Sequence, residues 1–560
     1  MSSSAPDRRG VCFANRLSED PNITVCVLEA GPRDWHPFIH IPAGFIYTRV
    51  DPKLNWLYKA EPSRWTDWRV TGAPRGKTLG GSSSVNGHIY NRGQRHDFDG
   101  WAQRGNHGWG YADVLPYFRR TERRIGGDDL FRGRNGHLPV TDLDWRDPLC
   151  EAFIEGAMQM GIPLNEDYNG AEQTGVSYVQ RTIEKGLRIS AARGYLHPAM
   201  SRRNLTVRTY AHATEIVLER KRAVGVRYRK GAHGGPSIEV RARREVILSG
   251  GAVNSPQLLQ VSGIGPAPLL KPLGIEVKHA LAGVGENLRD HYSPRLIARV
   301  RNATTINERS KGLRLVGEVL KYFAARKGIL ALNPTPVYVF WKSDENVDDC
   351  DLQVTFTPGS YKEGVQSTLD DFPAITVSSW QQRPDSTGFV RAQSADPFAH
   401  PIIQPNYLAV ESDRRVTLAG MKLARRLMMS KPLRRYYDRE EFPGPKVQTD
   451  DELMAAAKQH GTTAFHLMGT CRMAPESDPT AVVDDQLRVR RLEGLRVVDA
   501  SIMPTMPSAN LNASVLMIAE KAADMILGKP PLEAALLNDD PDLVDRRVIG
   551  EPVRVAVPQE

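Results

Sequence analysis

Residues 11–29 read Val-Cys-Phe-Ala-Asn-Arg-Leu-Ser-Glu-Asp-Pro-Asn-Ile-Thr-Val-Cys-Val-Leu-Glu. The first part, 11–17, with Arg16 and Glu19, has helical spacing and stops near Asp20-Pro21-Asn22. The second part, 23–29, is short, β-branched and ends in an acid, which predicts a buried strand. Helix, tight turn, strand and terminal Glu form the second half of a βαβ nucleotide-binding unit. The first half should lie just upstream. Residues 2–9 there read Ser-Ser-Ser-Ala-Pro-Asp-Arg-Arg, which is poor strand material.

Further strands are predicted at 205–209, at 213–229 as a hairpin about 219–222, at 245–248 and at 496–498. Helices are predicted at 101–122, 256–261, 312–326 (amphipathic), 414–430, 451–459 and 514–527. Strands at 335–341 and 351–357 lie between them. Strands and helices alternate at both ends of the chain, and the middle is mixed. The expected architecture is a nucleotide domain assembled from separate segments with a second domain inserted.

The chain has 560 residues, of which 41% are hydrophobic and 25% charged, with 47 Gly and 39 Pro. This is ordinary globular composition, which excludes collagen, coiled coil and wholesale disorder. No long charge-free apolar window exists, so no integral membrane segment is expected. Cys12, Cys26, Cys150, Cys350 and Cys471 are odd in number and far apart. They suit neither a disulfide framework nor a metal site, and point to a reducing, cytoplasmic location. MSSSAPDRRG lacks the apolar region of a secretory signal. The net charge of +9 is dispersed in short clusters without interleaved aromatics, so no nucleic acid partner is expected.

Three constellations could carry chemistry. Residues 75–87, Arg-Gly-Lys-Thr-Leu-Gly-Gly-Ser-Ser-Ser-Val-Asn-Gly, combine close-approach glycines, hydroxyl donors and positive charge. They suit a diphosphate or the polar edge of a flavin. A plain Gly/Ser linker is the alternative, which apolar Val85, Ile89 and Tyr90 oppose. Residues 250–265 lie between a strand and a helix, with Ser255 placed to cap and Pro256 at the first helical position. An ordinary well-capped turn would look the same. The third is His466-Leu467-Met468-Gly469-Thr470-Cys471-Arg472-Met473 with Asn510-Leu511-Asn512. A histidine can take a proton near neutrality, and an asparagine can donate a hydrogen bond to a developing alkoxide. Cys471 reads as structural.

Together these segments resemble the glucose–methanol–choline (GMC) family of FAD-dependent alcohol oxidoreductases, in its choline-dehydrogenase-like bacterial branch. Residues 76–99 resemble the family's first signature and 251–265 its second. Gly283 to His291, Ser394 to Pro397, Val498 to Pro504 and Ala519 to Asp524 follow in family order. The resemblance implies an α/β plus α+β fold. A Rossmann-like FAD-binding domain is built from discontinuous segments, beside a substrate domain carrying a mixed or antiparallel sheet and helices. The FAD-binding parts are 1–145 (first strand missing), 195–290 and 480–530; the substrate parts are 146–194 and 291–479; 531–560 is a peripheral tail. It implies oxidation of a primary alcohol, with proton abstraction by His466, hydride transfer to flavin N5, and Asn512 orienting the substrate oxygen. It implies FAD contacts from Gly10, Glu29, Thr78, Gly80, Gly81, Asn86, Gly87, His88, Ile89, Ala213, Asp499 and Ala500, and no metal.

The sequence departs from the family at its start. Gly10 matches the third glycine of GxGxxG, but the first two fall at Ala5 and Asp7, and no strand precedes them. An Asp there would repel a pyrophosphate. This reads as a lost or mis-read start. The alternative is a degenerate member that binds FAD weakly or not at all. Some relatives attach FAD covalently through a His that falls at Val85 here, so non-covalent FAD is expected. Residues 333–341 supply aromatics but no acid, which favours an aliphatic or aromatic primary alcohol over choline. The electron acceptor, oxygen, quinone or other, is open.

Overall fold

The computed structural model describes residues 2–4, 8–231, 234–362 and 367–537. Ala5, Asp7 and residues 538–560 of the tail lie outside the described residues. Five parallel strands form the first sheet: β1 (Ser2–Ser4), β2 (Val25–Leu28), β3 (Leu205–Arg208), β4 (Val246–Leu248) and β5 (Leu495–Val497). Their order is β3-β2-β1-β4-β5. The expectation of a missing first strand is therefore corrected: Ser2 pairs with Cys26 on one side and with Val246 on the other. Ladder bonds are made by backbone groups, so a three-residue serine segment can satisfy two buried neighbours that would otherwise face each other unpaired.

Four helices frame the site and the surface of the molecule: α1 (Arg8–Leu17), α2 (Gly251–Val261), α3 (Gly312–Ala325) and α4 (Asn512–Leu527). Helix α4 is buried continuously from Asn512 to Asp524, its acids included. Buried charges must be paired, and these are. Arg16 of α1 binds Glu520, and Arg120 reaches Glu520 at 2.8 Å and Asp524 at 2.7 Å. The two ends of the chain are thus clamped together.

Three sequence expectations change. The helix predicted at 101–122 is two helices, Arg95–Gln103 and Tyr111–Thr121, broken across the Gly105–Gly108 turn. Helix α2 begins at Gly251, so Pro256 sits inside it rather than at its start, and Ser255 accepts from the Gly250 N–H instead of capping. A proline there removes the N–H that would bond the Ala252 carbonyl. The Thr470 hydroxyl donates to that carbonyl at 2.7 Å and restores the loss. The described part of the tail is not peripheral: Ala535 and Leu537 are buried, and the Ala535 N–H bonds Ala112.

The second sheet has six antiparallel strands in the order Tyr437–Phe442, Arg295–Val300, Ala374–Gln381, Leu352–Thr357, Val337–Trp341, Gly175–Tyr178. Side chains alternate across it with period two. Val337, Val339, Val354, Phe356, Ile375 and Val377 enter a core shared with helices Glu411–Met428 and Pro148–Gln159. Tyr338, Thr355, Thr357, Thr376 and Ser378 face the opposite way and line a cavity. One face of the sheet therefore builds stability and the other builds a site.

Candidate active site

A cleft runs along the carboxyl ends of the parallel strands, where open α/β sheets bind ligands. Glu29 follows β2, Gly250 follows β4 and Ala500 follows β5, and all three line it. At one end Ala30, His212 and Ala213 continue the cleft, sharing Trp56, Gly250 and Asn254 with its middle. At the other end it opens into a cavity of about 300 Å³, sharing Arg75, Ser82, Phe465, His466 and Leu511. Asn86, Gly87, His88, Ile89, His466, Asn510 and Asn512 are on the cavity wall.

The expected FAD fits this donor set. The run is elongated, with the acid Glu29 and the first turn of α2 at its middle and a Gly/Asn loop at its far end. Glu29 is buried and accepts from the Gly31 N–H at 2.6 Å, which fixes its carboxylate. Lys77 lies over the Trp56 ring at 4.5 Å, adding positive charge close to Glu29. Other expected contacts are engaged in local structure. Gly10 is buried in α1. Thr78 donates to the Pro32 carbonyl at 3.0 Å. Gly80 and Gly81 turn the loop, and Gly80 has φ +83° with a Cβ excluded by Ser84 Oγ at 2.6 Å. Asp499 accepts from the N–H groups of Gly251 and Ser501, each at 2.9 Å, and from Ser255. It joins the end of β5 to the start of α2.

Sequence reading missed the clamp on the loop. The buried Arg188 donates to Ile39 O and Asn86 O, each at 2.7 Å, and to Ser83 O at 3.2 Å. Burial and the nearby Arg188 guanidinium hold His88 well below the usual histidine range, and its Nε2 bonds Pro42 O at 3.0 Å. His88 is therefore a neutral wall residue. Burial pushes the Cys471 thiol up to about 12, so it is no nucleophile near neutral pH.

The chemistry gathers at His466. Its Nδ1 lies 2.8 Å from His291 Nδ1, and its Nε2 lies 3.1 Å from Asn510 Nδ2. His291 Nε2 faces the Gln382 carbonyl at 2.7 Å. A carbonyl only accepts, so His291 Nε2 carries the hydrogen. Burial pushes His291 down to about 4, so it is neutral and its Nδ1 accepts. His466 Nδ1 must then donate, which leaves His466 Nε2 as a lone pair. The hydrogen bonds at the other end agree with this. Tyr338 donates to Asn510 Oδ1 at 3.2 Å, turning the amide so that Nδ2 donates to His466 Nε2. Asp290 holds the backbone of both histidines: Oδ1 accepts from the His466 backbone N–H at 2.6 Å and the His291 backbone N–H at 2.9 Å. Its Oδ2 accepts from Tyr407 at 2.6 Å and from Thr463.

The structure brings Asn510 onto His466, a residue sequence reading passed over in favour of Asn512. Asn512 is the first residue of α4 and lines the wall beside it. Two asparagines two residues apart at a loop–helix junction cannot be told apart by spacing. His291, Asp290 and Tyr338 have no role legible in the sequence, because their partners lie 172 to 176 residues away.

The buried imidazoles carry a pH prediction. His291 and His212 are both pushed to about 4 from 6.5 by desolvation. The unfolded chain then binds more protons between these values, so stability is present above pH 6.5 and is lost as pH falls towards 4. Each site costs on the order of 3 kcal/mol at the acid end. The melting temperature is expected to fall more steeply from pH 6.5 to 4.5 in the natural chain than in His291→Gln. Equal slopes would show that His291 is not held neutral.

Two family models described as GMC oxidoreductase match residues 22–293 and 384–519. The chain is 42% identical over 533 residues to a mitochondrial choline dehydrogenase of Homo sapiens, across 93% of this chain and 89% of that one. It is 40% identical over 524 residues to an alcohol dehydrogenase (acceptor) of Pseudomonas putida, across 93% and 94%. A pyridoxine 4-oxidase from Mesorbium loti superposes with a TM-score of 0.85 at 29% identity, covering 94% and 99% of the two chains.

Proposed function

The chain belongs to the GMC oxidoreductase family, and from that premise we propose that it oxidises a primary alcohol to the carbonyl with His466 as the base. The observation that carries this is the tautomer: the hydrogen bonds make His466 Nε2 the acceptor nitrogen, bonded to Asn510 on the cavity wall. When bound, FAD supplies the two-electron sink for the carbinol hydride. Glu29, Ala213, Ala500, the first turn of α2 and the Asn86–Ile89 loop would hold it.

His466 Nε2 takes the hydroxyl proton of the substrate, and the resulting imidazolium stays in place because Asp290 grips the His466 backbone. In the resting site the Asn510 amide N–H occupies that lone pair; the substrate hydroxyl replaces it there, and the released N–H donates to the alkoxide as it forms. Phe45, Phe465 and Trp380 give the cavity an apolar side that limits water.

Among the described residues, no carboxylate lines the cavity, whereas Arg49, Arg75 and Arg295 do. This supports an aliphatic or aromatic primary alcohol over a quaternary ammonium alcohol. With FAD-loaded protein, benzyl alcohol or a medium-chain alcohol is expected to give a kcat/KM at least about tenfold above choline. The reverse order would refute the substrate reading. Val85 offers no nucleophile to the flavin, so we assign non-covalent FAD, which acid precipitation should release into the supernatant. The five dispersed cysteines support a cytoplasmic location.

A further inference from the structure

Helix α3 is inside out. Soluble helices bury their apolar stripe and turn charge to water. Here the residues facing the body are Glu318 and Tyr322. Glu318 accepts from the Ile329 N–H at 3.0 Å and pairs with Arg309 at 3.3 Å, and Tyr322 donates to Gly186 O at 2.9 Å. The opposite side carries Leu313, Val316, Leu320 and Phe323, exposed at 89, 53, 65 and 62%. At 100° per residue these four fall within an arc of roughly 80°. A contiguous exposed stripe of this kind marks an interaction surface.

The charge around it says what covers it. Residues 308–327 hold six cations (Arg309, Lys311, Arg314, Lys321, Arg326 and Lys327) against Glu308 and the inward Glu318; Arg309, Lys311 and Arg314 pair with Glu318, Asp371 and Glu308, so the excess lies towards Lys321, Arg326 and Lys327. An apolar stripe framed by Lys and Arg is the pattern of a helix lying in a bilayer interface. A second copy of the chain fits poorly, because a self-complementary contact through this face would bring two cationic edges, Lys321 and the Arg326-Lys327 end, together. Next to α3, the turn Ile329–Ala331 packs on the Pro42–Gly44 turn, and the segment after Gly44 supplies Phe45 and Arg49 to the cavity wall.

We propose that α3 docks the protein peripherally on a membrane surface bearing anionic headgroups, with Leu313, Val316, Leu320 and Phe323 entering the interface. No span is involved; among the described residues no helix is long and apolar enough to cross a bilayer. The proposal does not depend on the catalytic reading.

The test is sedimentation of the FAD-loaded full chain with vesicles of phosphatidylcholine mixed with phosphatidylglycerol, and with phosphatidylcholine alone. Binding is expected to the mixed vesicles, with partitioning lowered more than about tenfold by Leu320→Glu/Phe323→Glu and also lowered by Arg314→Gln/Lys321→Gln. None of these residues lines the site, so turnover of a soluble alcohol should be unchanged and reports a folded protein. Failure to bind mixed vesicles would overturn the proposal, as would equal binding by the Glu variant. Concentration-dependent dimers that the Glu variant abolishes would assign the face to a second copy and overturn it too.

Discussion

His466→Ala is expected to lower kcat/KM for the alcohol by on the order of 10²–10⁴-fold while leaving the bound flavin spectrum in place. The loss follows from the position of one lone pair. Gln382, His291 and His466 form a directed chain that makes Nε2 an acceptor, met by the Asn510 amide on the cavity wall. Among the described residues, alanine removes the only imidazole there with that orientation: His88 is bonded to Pro42 O, and His291 is buried behind His466. The substrate hydroxyl would then have to lose its proton to water. Because the defect lies in proton removal, the rate of the variant should rise with pH as hydroxide takes over. A variant that keeps its flavin and loses less than about fivefold would remove His466 from the reaction.

The second large effect separates two neighbouring asparagines. Asn510→Ala is expected to lower kcat on the order of 10²–10³-fold, because it deletes the donor that meets the developing alkoxide. It also frees the Tyr338 hydroxyl, which is buried and bonded to Asn510 Oδ1. Asn512→Ala should cost less than about tenfold, since Asn510 is the amide bonded to His466 Nε2 and to Tyr338. Steady-state kinetics of the two variants, with flavin content measured alongside, decides the assignment. A larger loss at Asn512 than at Asn510 would reverse it.

Much of the fold is legible in short, strongly patterned segments. Residues 23–29 and 245–248 read as buried strands because they are apolar and followed by an acid or small residues, and both join the parallel sheet. The hairpin about 219–222 is legible from its alternation. The first strand is not, because Ser2–Ser4 has no strand composition and is defined by the backbones on either side of it. The helix at Gly251 is hidden by Pro256, whose lost hydrogen bond is replaced by Thr470, more than 200 residues later. His466 stands out through its residue type and context. Its partners do not, because a tautomer is set by contacts between distant segments: Asp290-His291 sits beside His466 only once strand Tyr292–Ser293 pairs with Thr462–Thr463. In the sequence, α3 reads as an ordinary amphipathic helix. Periodicity gives the two faces and leaves open which one meets the core.

The central claim is that this chain holds FAD beside a histidine poised to take an alcohol proton. Anaerobic mixing of FAD-loaded protein with a primary alcohol, read by the visible flavin absorbance, tests it most directly. The account predicts rapid bleaching in the natural chain and bleaching slowed by on the order of 10²-fold or more in His466→Ala, with equal flavin bound in both. A chain that binds no flavin, or one whose bound flavin bleaches equally fast in the two proteins, would contradict it.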